Sequence, residues 1–520
     1  MDIKVKNVII SVSDKTGLVE LAKSLDEMGA GVFSTGGTAK ALENVGIPVI
    51  KISEYTGFDE ILDGRVKSLH PKIHGGILAK RNNENHMVQL DEKGIVPFDM
   101  VVINLYPFEK MIRKDGVTVE DAIENIDIGG PSMLRSSAKN YRFVCVVPDP
   151  LFYTGIIEEL QTTGVISFTT RKKLAMTVFE RTAYYDSIIS SYFHNAIVER
   201  GEERYPETIS FYFRKNQELR YGENPHQSAA FYTNPENTVN GVSNAEKLHG
   251  KELSFNNILD LEAAFEIVKE FDKPACSVIK HTNPCGAAAA AKLSEAFLNA
   301  WAGDPVSAFG SIIGFNRVVD KKTAMEIINA GFVECVIAPG YEEEALGKLI
   351  EKKNIRLLET GKIRRDAVND YDMKRVAGGI LIQERDVKTV EKNDLKVVTD
   401  KKVSDVEIES LLFGWKVVKN VKSNAIVLTQ GTRVVGVGAG QMSRVDAVSI
   451  AISKAKDRAK GSFLASDAFF PKPDAIQLAA ENGITAIIQP GGSIKDDEVI
   501  DACNRWGISM LFTGFRHFKH

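Results

Sequence analysis

Residues 64–76 form a dense group of side chains that could do chemistry. They read G-R-V-K-S-L-H-P-K-I-H-G-G and include the cations of Arg65 and Lys67, a hydroxyl and two histidines. This composition is not that of a hydrophobic core, so the segment is either a solvated basic loop or part of a ligand site. His70 and His74 have a spacing that metal pairs use, but a proline lies between them and no H-E-x-x-H motif occurs. We therefore predict no metal site here.

A glycine-rich turn, Ser34-Thr35-Gly36-Gly37-Thr38, joins a predicted strand to a predicted helix. Glycine lets backbone N–H groups approach an anion closely, and hydroxyl groups add donors at the helix N-terminus. Ser11, Ser13 and Lys15 lie at the end of the first predicted strand and could complete a phosphate pocket. The alternative interpretation is an ordinary turn with a capping hydroxyl.

Two further segments of the first half carry acid–base groups. The segment N-L-Y-P-F ends an apolar run and supplies the phenol of Tyr106, and E-N-I-D-I-G-G-P supplies the carboxylate of Asp127. Lys139 follows a few residues later. A phenol, a carboxylate and a lysine are groups that can transfer a proton and stabilise an oxyanion.

In the second half, Arg220 and Tyr221 lie in the turn-rich segment L-R-Y-G-E-N-P-H-Q, which suits recognition of a planar polar ligand. Lys280 and His281 follow an apolar strand, and we expect a helix to begin near Gly286. A Lys–His pair at a strand end is either a salt-bridged surface feature or a proton shuttle with an electrostatic donor. A Schiff-base lysine is conceivable, but no further signature of such an enzyme occurs.

The five cysteines are widely spaced, which fits a reducing compartment and no disulfide framework. Pro284-Cys285 begins like the zinc-deaminase motif P-C-x-x-C, but the second cysteine is absent. We therefore expect no catalytic zinc, and we expect Cys285 to be a small packed residue.

The predicted elements place the groups of the first half at one end of a sheet. Residues 5–12 and 31–34 read as strands, and a helix with a period near 3.6 lies between them. Apolar runs at residues 100–105 and 143–147 extend the alternation. Alternating strands and helices predict a parallel α/β sheet, which binds ligands beyond the carboxyl ends of its strands.

The segment V-E-R-G-E-E-R-Y-P at residues 198–206 is charged and broken by glycine and proline, and it follows a long helical pattern from residue 169. We place the boundary there, which gives domains 1–199 and 200–520. The second domain also alternates helices with short β-rich runs. Because it exceeds the usual size of a single domain, we expect two lobes.

The overall composition is that of an ordinary folded protein. The chain has 520 residues, of which 44% are hydrophobic and 26% charged, and its net charge is −4. Scattered lysines and arginines give no reason to expect a nucleic-acid partner, and no segment approaches the length of a membrane span. The N-terminus lacks an apolar signal core. We expect a cytoplasmic protein that binds neither nucleic acid nor membrane.

Five ordered segments of the first half resemble the inosine monophosphate (IMP) cyclohydrolase domain, whose parallel-sheet fold is similar to methylglyoxal synthase. They are S-V-S-D-K-T-G, S-T-G-G-T, G-R-V-K-S-L-H-P-K-I-H-G-G-I-L, N-L-Y-P-F and E-N-I-D-I-G-G-P-S-M-L-R-S-S-A-K-N. The resemblance implies that Lys67, Tyr106, Asp127 and Lys139 carry out cyclisation. It implies that the nucleotide is held by Ser11, Lys15, Ser34, Thr35, Gly36, Gly37, Thr38, Arg65 and Ser68. Ser68 stands where many members have threonine, and the hydroxyl is kept.

The second half resembles the folate-dependent formyltransferase domain of the bifunctional purine biosynthesis family. The matching segments are L-R-Y-G-E-N-P-H-Q, K-E-L-S-F-N-N, K-H-T-N-P-C-G, D-P-V-S-A-F-G-S-I-I-G-F-N, K-S-N-A-I-V, G-A-G-Q-M-S-R, S-D-A-F-F-P, Q-P-G-G-S and R-H-F-K-H. The resemblance implies that Lys280, His281 and Asn424 act at the reacting centre. It implies that Arg220, Tyr221, Arg444, Phe469, Asp474, Arg516 and His520 position nucleotide or folate.

The same resemblance implies two successive reactions. A formyl group passes from 10-formyltetrahydrofolate to aminoimidazole carboxamide ribonucleotide (AICAR), and the product, formyl-AICAR (FAICAR), closes to IMP with loss of water. It also implies two cytidine-deaminase-like lobes without zinc, and a homodimer with formyltransferase sites across the subunit interface. Members of the family can also bind a potassium ion. A histidine with a pKa near ~6.5 suits the proton shuttle, and a lysine or asparagine suits the oxyanion.

Two rival interpretations remain at this point. The first is a non-enzymatic nucleotide-binding or sensing protein, in which the glycine-rich turns bind phosphate and the Lys–His segments are surface loops. The second is a dinucleotide oxidoreductase, suggested by Gly436-Val437-Gly438-Ala439-Gly440. That run does not complete G-x-G-x-x-G, and no acidic ribose partner is placed.

Overall fold

The computed structural model describes residues 2–197, 205–235, 239–364 and 371–520. The chain divides into two compact units, Met1–Tyr212 and Phe213–His520, which we call unit 1 and unit 2. The predicted boundary between residues 199 and 200 lies outside the described residues, so it stays a prediction.

Unit 1 is built on a five-stranded sheet in the order β3-β2-β1-β4-β5, and every pairing in it is parallel. This confirms the predicted parallel α/β fold. The strands are β1 (Asn7–Val12), β2 (Gly31–Ser34), β3 (Val49–Lys51), β4 (Met100–Asn104) and β5 (Cys145–Val147). The helices are α1 (Leu18–Glu27), α2 (Gly36–Glu43), α3 (Ile52–Thr56), α4 (Pro71–Leu78), α5 (Glu84–Glu92), α6 (Phe108–Met111), α7 (Val119–Glu124), α8 (Gly129–Lys139), α9 (Tyr153–Thr163) and α10 (Phe168–Ile197).

The central strands of unit 1 are buried because their sequences are almost continuously apolar. All five residues of β4 are buried, as expected of a parallel strand that is covered on both faces. Amphipathic helices close the core, with Leu21 and Leu25 of α1 fully buried. The polar turns that follow β1, β2 and β4 therefore lie at one end of the sheet.

Unit 2 contains a twelve-stranded sheet in the order β16-β21-β20-β19-β17-β18-β10-β9-β11-β12-β13-β8, and two separate hairpins, β6–β7 and β14–β15. The strands are β6 (Arg214–Leu219), β7 (Ala229–Thr233), β8 (Glu246–His249), β9 (Ala275–Lys280), β10 (Asn283–Ala289), β11 (Ser311–Phe315), β12 (Val333–Ala338), β13 (Arg356–Glu359), β14 (Tyr371–Val376), β15 (Gly379–Glu384), β16 (Lys396–Val397), β17 (Ile426–Gln430), β18 (Arg433–Gly438), β19 (Phe463–Ser466), β20 (Ala486–Gln489) and β21 (Ser509–Phe512). The helices are α11 (Phe255–Lys269), α12 (Leu293–Trp301), α13 (Pro305–Ala308), α14 (Lys321–Ala330), α15 (Glu343–Leu349), α16 (Asp405–Val418), α17 (Arg444–Ala455), α18 (Asp474–Glu481) and α19 (Asp496–Trp506).

The large sheet consists of two lobes with the same strand order. In the first lobe β10-β9-β11-β12-β13 are neighbours, and in the second β18-β17-β19-β20-β21. Each lobe begins with two antiparallel pairings and continues with two parallel ones. The two predicted lobes are therefore present, and each repeats one supersecondary unit. The helix expected near Gly286 is wrong, because this residue lies in β10.

The lobes join edge to edge through β10 and β18, which run antiparallel with Ala288 opposite Arg433. The Thr432 hydroxyl donates to the Ala289 carbonyl at 2.7 Å. Because each strand also belongs to a hairpin, the end of β9, the start of β10, the end of β18 and the start of β17 lie at the same end of the sheet. One sheet therefore carries groups from both lobes to a common place.

Gly436 and Gly438 have a packing role in this arrangement. A Cβ atom at Gly436 would overlap the carbonyl oxygen of Ala451, and one at Gly438 would overlap that of Ala447. Both carbonyls belong to α17, so the missing side chains let this helix lie directly on β18. The glycines of the suspected dinucleotide motif thus serve close helix–strand packing.

We predict that Gly438→Ala destabilises unit 2 by about 1–3 kcal/mol, because the added methyl overpacks the contact between β18 and α17. The matched control is Gly347→Ala in α15, where an added Cβ meets no atom within 4 Å. It should be neutral or stabilising by up to about 1 kcal/mol. All three tryptophans, Trp301, Trp415 and Trp506, lie in unit 2, so tryptophan fluorescence during urea unfolding measures both. Equal stabilities would contradict the packing role.

Candidate active sites

The first candidate site lies at the carboxyl end of the unit 1 sheet. Ser34, Thr35 and Gly36 line a cavity of about 240 Å³ together with Lys67. Thr35 is the N-cap of α2 and makes no side-chain capping hydrogen bond. The first amides of α2 are therefore available to an anion, as the glycine-rich turn predicts.

The hydroxyls of this turn do not all face the cavity. Ser34 is buried and its hydroxyl donates to the Ile10 carbonyl at 2.6 Å. The Thr38 hydroxyl donates to the Val12 carbonyl at 3.0 Å and accepts from the Val12 amide at 3.1 Å. These two side chains hold the turn against β1, so an anion would meet backbone amides and Thr35 rather than the hydroxyls of Ser34 and Thr38.

Asn104, the last residue of β4, fixes the turn that follows β1. Its Oδ1 accepts from the backbone amides of Ser13 at 2.7 Å and Asp14 at 2.9 Å, and its Nδ2 donates to the Asp14 carbonyl at 2.8 Å. Ser11 lies in the last part of β1, just before this turn, and Lys15 lies in the turn. Asn104 belongs to N-L-Y-P-F, but the sequence pattern did not single it out as a positioning residue.

Asp127 is the titratable centre of this site. Burial raises the pKa of Asp127, while the Gly130 amide, the Lys67 ammonium and the Tyr106 amide each act to lower it. The Gly130 amide donates to Oδ1 at 2.8 Å, and a Cβ at Gly130 would overlap the carboxylate. Lys67, Tyr106 and Asp127 are therefore close together, and a carboxylate with a raised pKa suits proton transfer near neutrality.

The other predicted residues of this site are placed differently. Arg65 forms an exposed ion pair with Glu124. Ser68 is buried, and its hydroxyl lies beside Gly129 at the start of α8. Lys139 is the last residue of α8, which is roughly 16 Å long, whereas Asp127 lies two residues before the start of this helix. Its joint action with Asp127 stays a prediction.

Tyr185 on α10 contacts the segments that carry the candidate site residues. Its hydroxyl accepts from the Asp127 backbone amide at 2.8 Å, and its ring packs edge-on against Phe108 at 6.3 Å. Burial raises the pKa of Tyr185 to about 12, so the hydroxyl stays protonated. One side chain thus contacts both segments that carry Tyr106 and Asp127. The helical pattern gave no local signal for it.

The second candidate site is centred on the two-residue turn between β9 and β10. His281 and Thr282 both have left-handed backbones, with φ of 54° and 61°, as a tight hairpin turn of this kind requires. Non-glycine residues adopt this conformation at a cost. Asp260 on α11 holds it, because its carboxylate accepts from the amides of His281 at 3.1 Å and Thr282 at 2.6 Å. The pKa of Asp260 is raised, because the effect of burial is larger than that of the hydrogen bonds from these two amides, which act to lower it.

Asn283 connects this turn to the second lobe. Its Nδ2 donates to the His281 carbonyl at 3.0 Å, and its Oδ1 accepts from the Lys422 amide at 3.1 Å. Lys422 lies two residues before Asn424. The structure therefore brings the predicted Lys280–His281 pair and Asn424 to the same end of the sheet.

Asn424 is held by three partners in the second lobe. Its Nδ2 donates to the carbonyls of Gln441 at 2.8 Å and Met442 at 3.2 Å, and its Oδ1 accepts from Arg444 at 2.8 Å. Both amide hydrogens are used, so in this conformation Asn424 can accept but not donate a further hydrogen bond. Of the two residue types expected to stabilise the oxyanion, this geometry favours Lys280, whose role stays a prediction.

Arg444 is buried and holds the Asn424 side chain in place. Its guanidinium forms an ion pair with the buried Asp467 and donates to the Ala425 carbonyl at 3.1 Å. The Ser423 hydroxyl and the Ala425 amide also bond to the Asp467 carboxylate, at 2.5 and 3.1 Å. A buried pair with these extra hydrogen bonds is a rigid support. The predicted contact of Arg444 with a ligand stays a prediction.

A cavity of about 200 Å³ lies where the lobes meet, and Lys280, His281 and Cys285 line it. The ion pair between Asp304 of the first lobe and Lys454 of the second crosses it, with 2.7 Å between Oδ2 and Nζ. Burial raises the pKa of Cys285 to about 12, so its thiol is neutral. Among the described residues no cluster of three or more His, Cys, Asp or Glu side chains could hold a metal ion.

The remaining predicted residues are exposed or half-buried around unit 2. Arg220 lies over the Tyr221 ring at 5.8 Å, and Asp474 begins α18. Phe469 follows Asp467 by two residues and is half-buried. Near the C-terminus, Arg516 lies over the ring of Phe518, which in turn contacts that of His520 at 5.6 Å. The patterns did not single out Phe518, Asp260 or Asn283.

Two α/β units, each with a lysine and an acid–base group at the end of its sheet, define an enzyme with two sites. A model of the AICARFT/IMPCHase bienzyme family matches residues 137–454, and one of the MGS-like domain matches residues 17–132. No helix in the described parts of the chain has the length and apolar character needed to span a membrane.

Curated relatives match over nearly the full length. Proteins named "Bifunctional purine biosynthesis protein PurH" are 54% identical in Acetivibrio thermocellus, 52% in Thermoanaerobacter sp. and 53% in Bacillus mycoides. Each alignment covers 99% of this chain and 100% of the relative. The chain belongs to the AICARFT/IMPCHase bienzyme family. This confirms the prediction of a bifunctional enzyme of purine biosynthesis, with AICAR formyltransferase and IMP cyclohydrolase activities. It rejects the interpretations as a non-enzymatic binding protein and as an oxidoreductase.

We predict that Tyr185→Phe lowers the rate of ring closure roughly 10-fold, because the Asp127 amide loses its partner, a loss of about 1–3 kcal/mol for a buried donor. Formyl transfer should be unchanged. Tyr184→Phe is the matched control, since Tyr184 lies next to Tyr185 in α10 and packs against Tyr212. Conversion of FAICAR to IMP, followed by absorbance, measures both. Equal rates for the two variants would exclude Tyr185 as a support of Asp127.

Proposed function

We propose that unit 1 carries out ring closure and unit 2 carries out formyl transfer, with 10-formyltetrahydrofolate as the formyl donor. The single observation that best supports this division is that each unit has its own lysine beside its own acid–base group. Lys67 lies by Asp127 in unit 1. Lys280 directly precedes His281 in unit 2.

In ring closure, the carboxamide nitrogen of FAICAR attacks the formyl carbon. Asp127 accepts the amide proton, which its raised pKa favours, and Lys67 stabilises the oxyanion that forms. Tyr106 lies beside Asp127 and can return that proton to the oxyanion. The resulting hydroxyl then leaves as water with a second proton, while the former formamide nitrogen gives up its N–H proton and forms the C=N bond of the ring. The amides at the start of α2, with Lys15, hold the phosphate of the nucleotide.

In formyl transfer, the amine of AICAR attacks the formyl carbon of the folate. His281 accepts the amine proton and Lys280 stabilises the oxyanion. The C–N bond to the folate then breaks, and the folate nitrogen leaves with a proton. Asn424 orients the amine by accepting one of its hydrogen bonds through Oδ1. Arg220, Tyr221, Phe469, Asp474, Arg516 and His520 bind the nucleotide or the folate.

The chain is further proposed to act as a cytoplasmic homodimer. Met442, whose carbonyl accepts from Asn424, exposes most of its side chain beside the site. A second copy of the chain would cover this apolar group and complete the site. Potassium binding stays an expectation from the family resemblance.

Lys67→Ala should abolish ring closure while formyl transfer persists, because the two sets of groups lie in different units. FAICAR should then accumulate when the variant receives AICAR and the formyl donor. Chromatography of the reaction mixture measures FAICAR and IMP separately. A normal yield of IMP would reject Lys67 as a catalytic residue.

His281→Ala should lower formyl transfer by roughly 10²- to 10⁴-fold, the usual contribution of a positioned proton shuttle. Ring closure of added FAICAR should be unaffected and serves as the internal control. Release of tetrahydrofolate, followed by absorbance, gives the rate. Turnover near that of the unmodified enzyme would remove His281 from the mechanism.

A further inference from the structure

The last six residues of the chain alternate between exposed and inward-facing side chains. Arg516, Phe518 and His520 are exposed, whereas His517 is buried and Lys519 is half-buried. The exposed set contains two residues of the proposed ligand site. The inward set must therefore determine where those two residues are held.

His517 is the main inward contact of this segment. Its Nδ1 lies 2.5 Å from the Asp386 carboxylate, and because a carboxylate only accepts, Nδ1 donates. Its ring packs 4.9 Å from that of Trp415 and 5.2 Å from that of Phe515. Burial would raise the pKa of Asp386, but the hydrogen bond and charge of His517 lower it, with help from Lys419.

The backbone of the segment bonds to Asp467 and Ser423, two residues of the hydrogen-bond network that holds the Asn424 loop. The His517 amide donates to the Asp467 carbonyl at 2.9 Å. The Lys519 amide donates to the Ser423 hydroxyl at 3.0 Å, and the Ser423 amide donates back to the Lys519 carbonyl at 2.8 Å. Ser423 immediately precedes Asn424. The segment therefore lies directly beside the loop that carries Asn424.

We propose that His517 is a positioning residue for formyl transfer. Through its bond to Asp386 it holds the C-terminal segment so that Arg516 and His520 face the ligand beside Asn424. The Asp386–His517 contact spans 131 positions of sequence, so it ties the free end of the chain to a distant loop. This inference rests on the proposed ligand-binding role of Arg516 and His520.

The test compares two His517 variants in the full-length enzyme. His517→Leu keeps an apolar side chain against Trp415 but cannot bond to Asp386, and we expect its KM for AICAR in formyl transfer to rise at least 10-fold. kcat should change less, because the groups at the reacting centre are intact. His517→Gln retains a donor and should recover part of the loss. Ring closure of FAICAR should be unchanged in both.

His249→Leu is the matched control. His249 is half-buried in the first lobe, and its Nδ1 bonds to the Ile355 carbonyl at 2.8 Å. If His249→Leu raises the KM as much as His517→Leu does, the effect is general loosening of unit 2 and the proposal is overturned. An unchanged KM in His517→Leu also overturns it.

Arg516→Ala distinguishes the positioning role of His517 from the proposed ligand-binding role of Arg516. If Arg516→Ala raises the KM for AICAR but His517→Leu does not, the positioning role fails while the proposed ligand site stands. If neither variant changes the KM for AICAR or for 10-formyltetrahydrofolate, the segment binds neither substrate, and the proposed role of Arg516 fails as well.

Discussion

The pairing of β10 with β18 is the constraint on which the proposed formyltransferase site depends. The first lobe supplies only the His281 turn between β9 and β10, and the second supplies only the Asn424 loop that precedes β17. Antiparallel pairing of the two hairpins places the His281 turn and the Asn424 loop at one end of a continuous sheet. The Asn283 side chain then spans them with one hydrogen bond to each side.

In both units, the predicted site residues lie on short turns that a partner from elsewhere in the sequence holds in place. Asp260 fixes the left-handed His281–Thr282 turn, and Arg444 with Asp467 fixes Asn424. Tyr185 does the same for the main chain of Asp127. Such support keeps a catalytic group in its productive geometry before the substrate arrives, which is where much of the rate enhancement of acyl transfer originates.

The sequence predicted the parts of the fold that depend on local pattern. The apolar runs of β1 and β4 predicted a parallel sheet with polar turns at its carboxyl end, and motif resemblance singled out the lysines of both candidate sites. The sequence pattern did not predict β10. The alanine-rich run after Gly286 has a high intrinsic helix propensity, which the hairpin with β9 overrides. Nor could spacing show that Arg444 is buried, since this depends on Asp467, which lies 23 positions away.

Residues of both lobes are proposed to act on one tetrahedral carbon, and a double-mutant cycle on His281 and Asn424 tests whether they do. The measured quantity is kcat/KM for formyl transfer in His281→Ala, Asn424→Ala and the combined variant. If both residues serve one centre, the combined loss should be at least about 10-fold smaller than the product of the single losses. A combined loss equal to that product would mean that the two side chains act independently and would contradict the account.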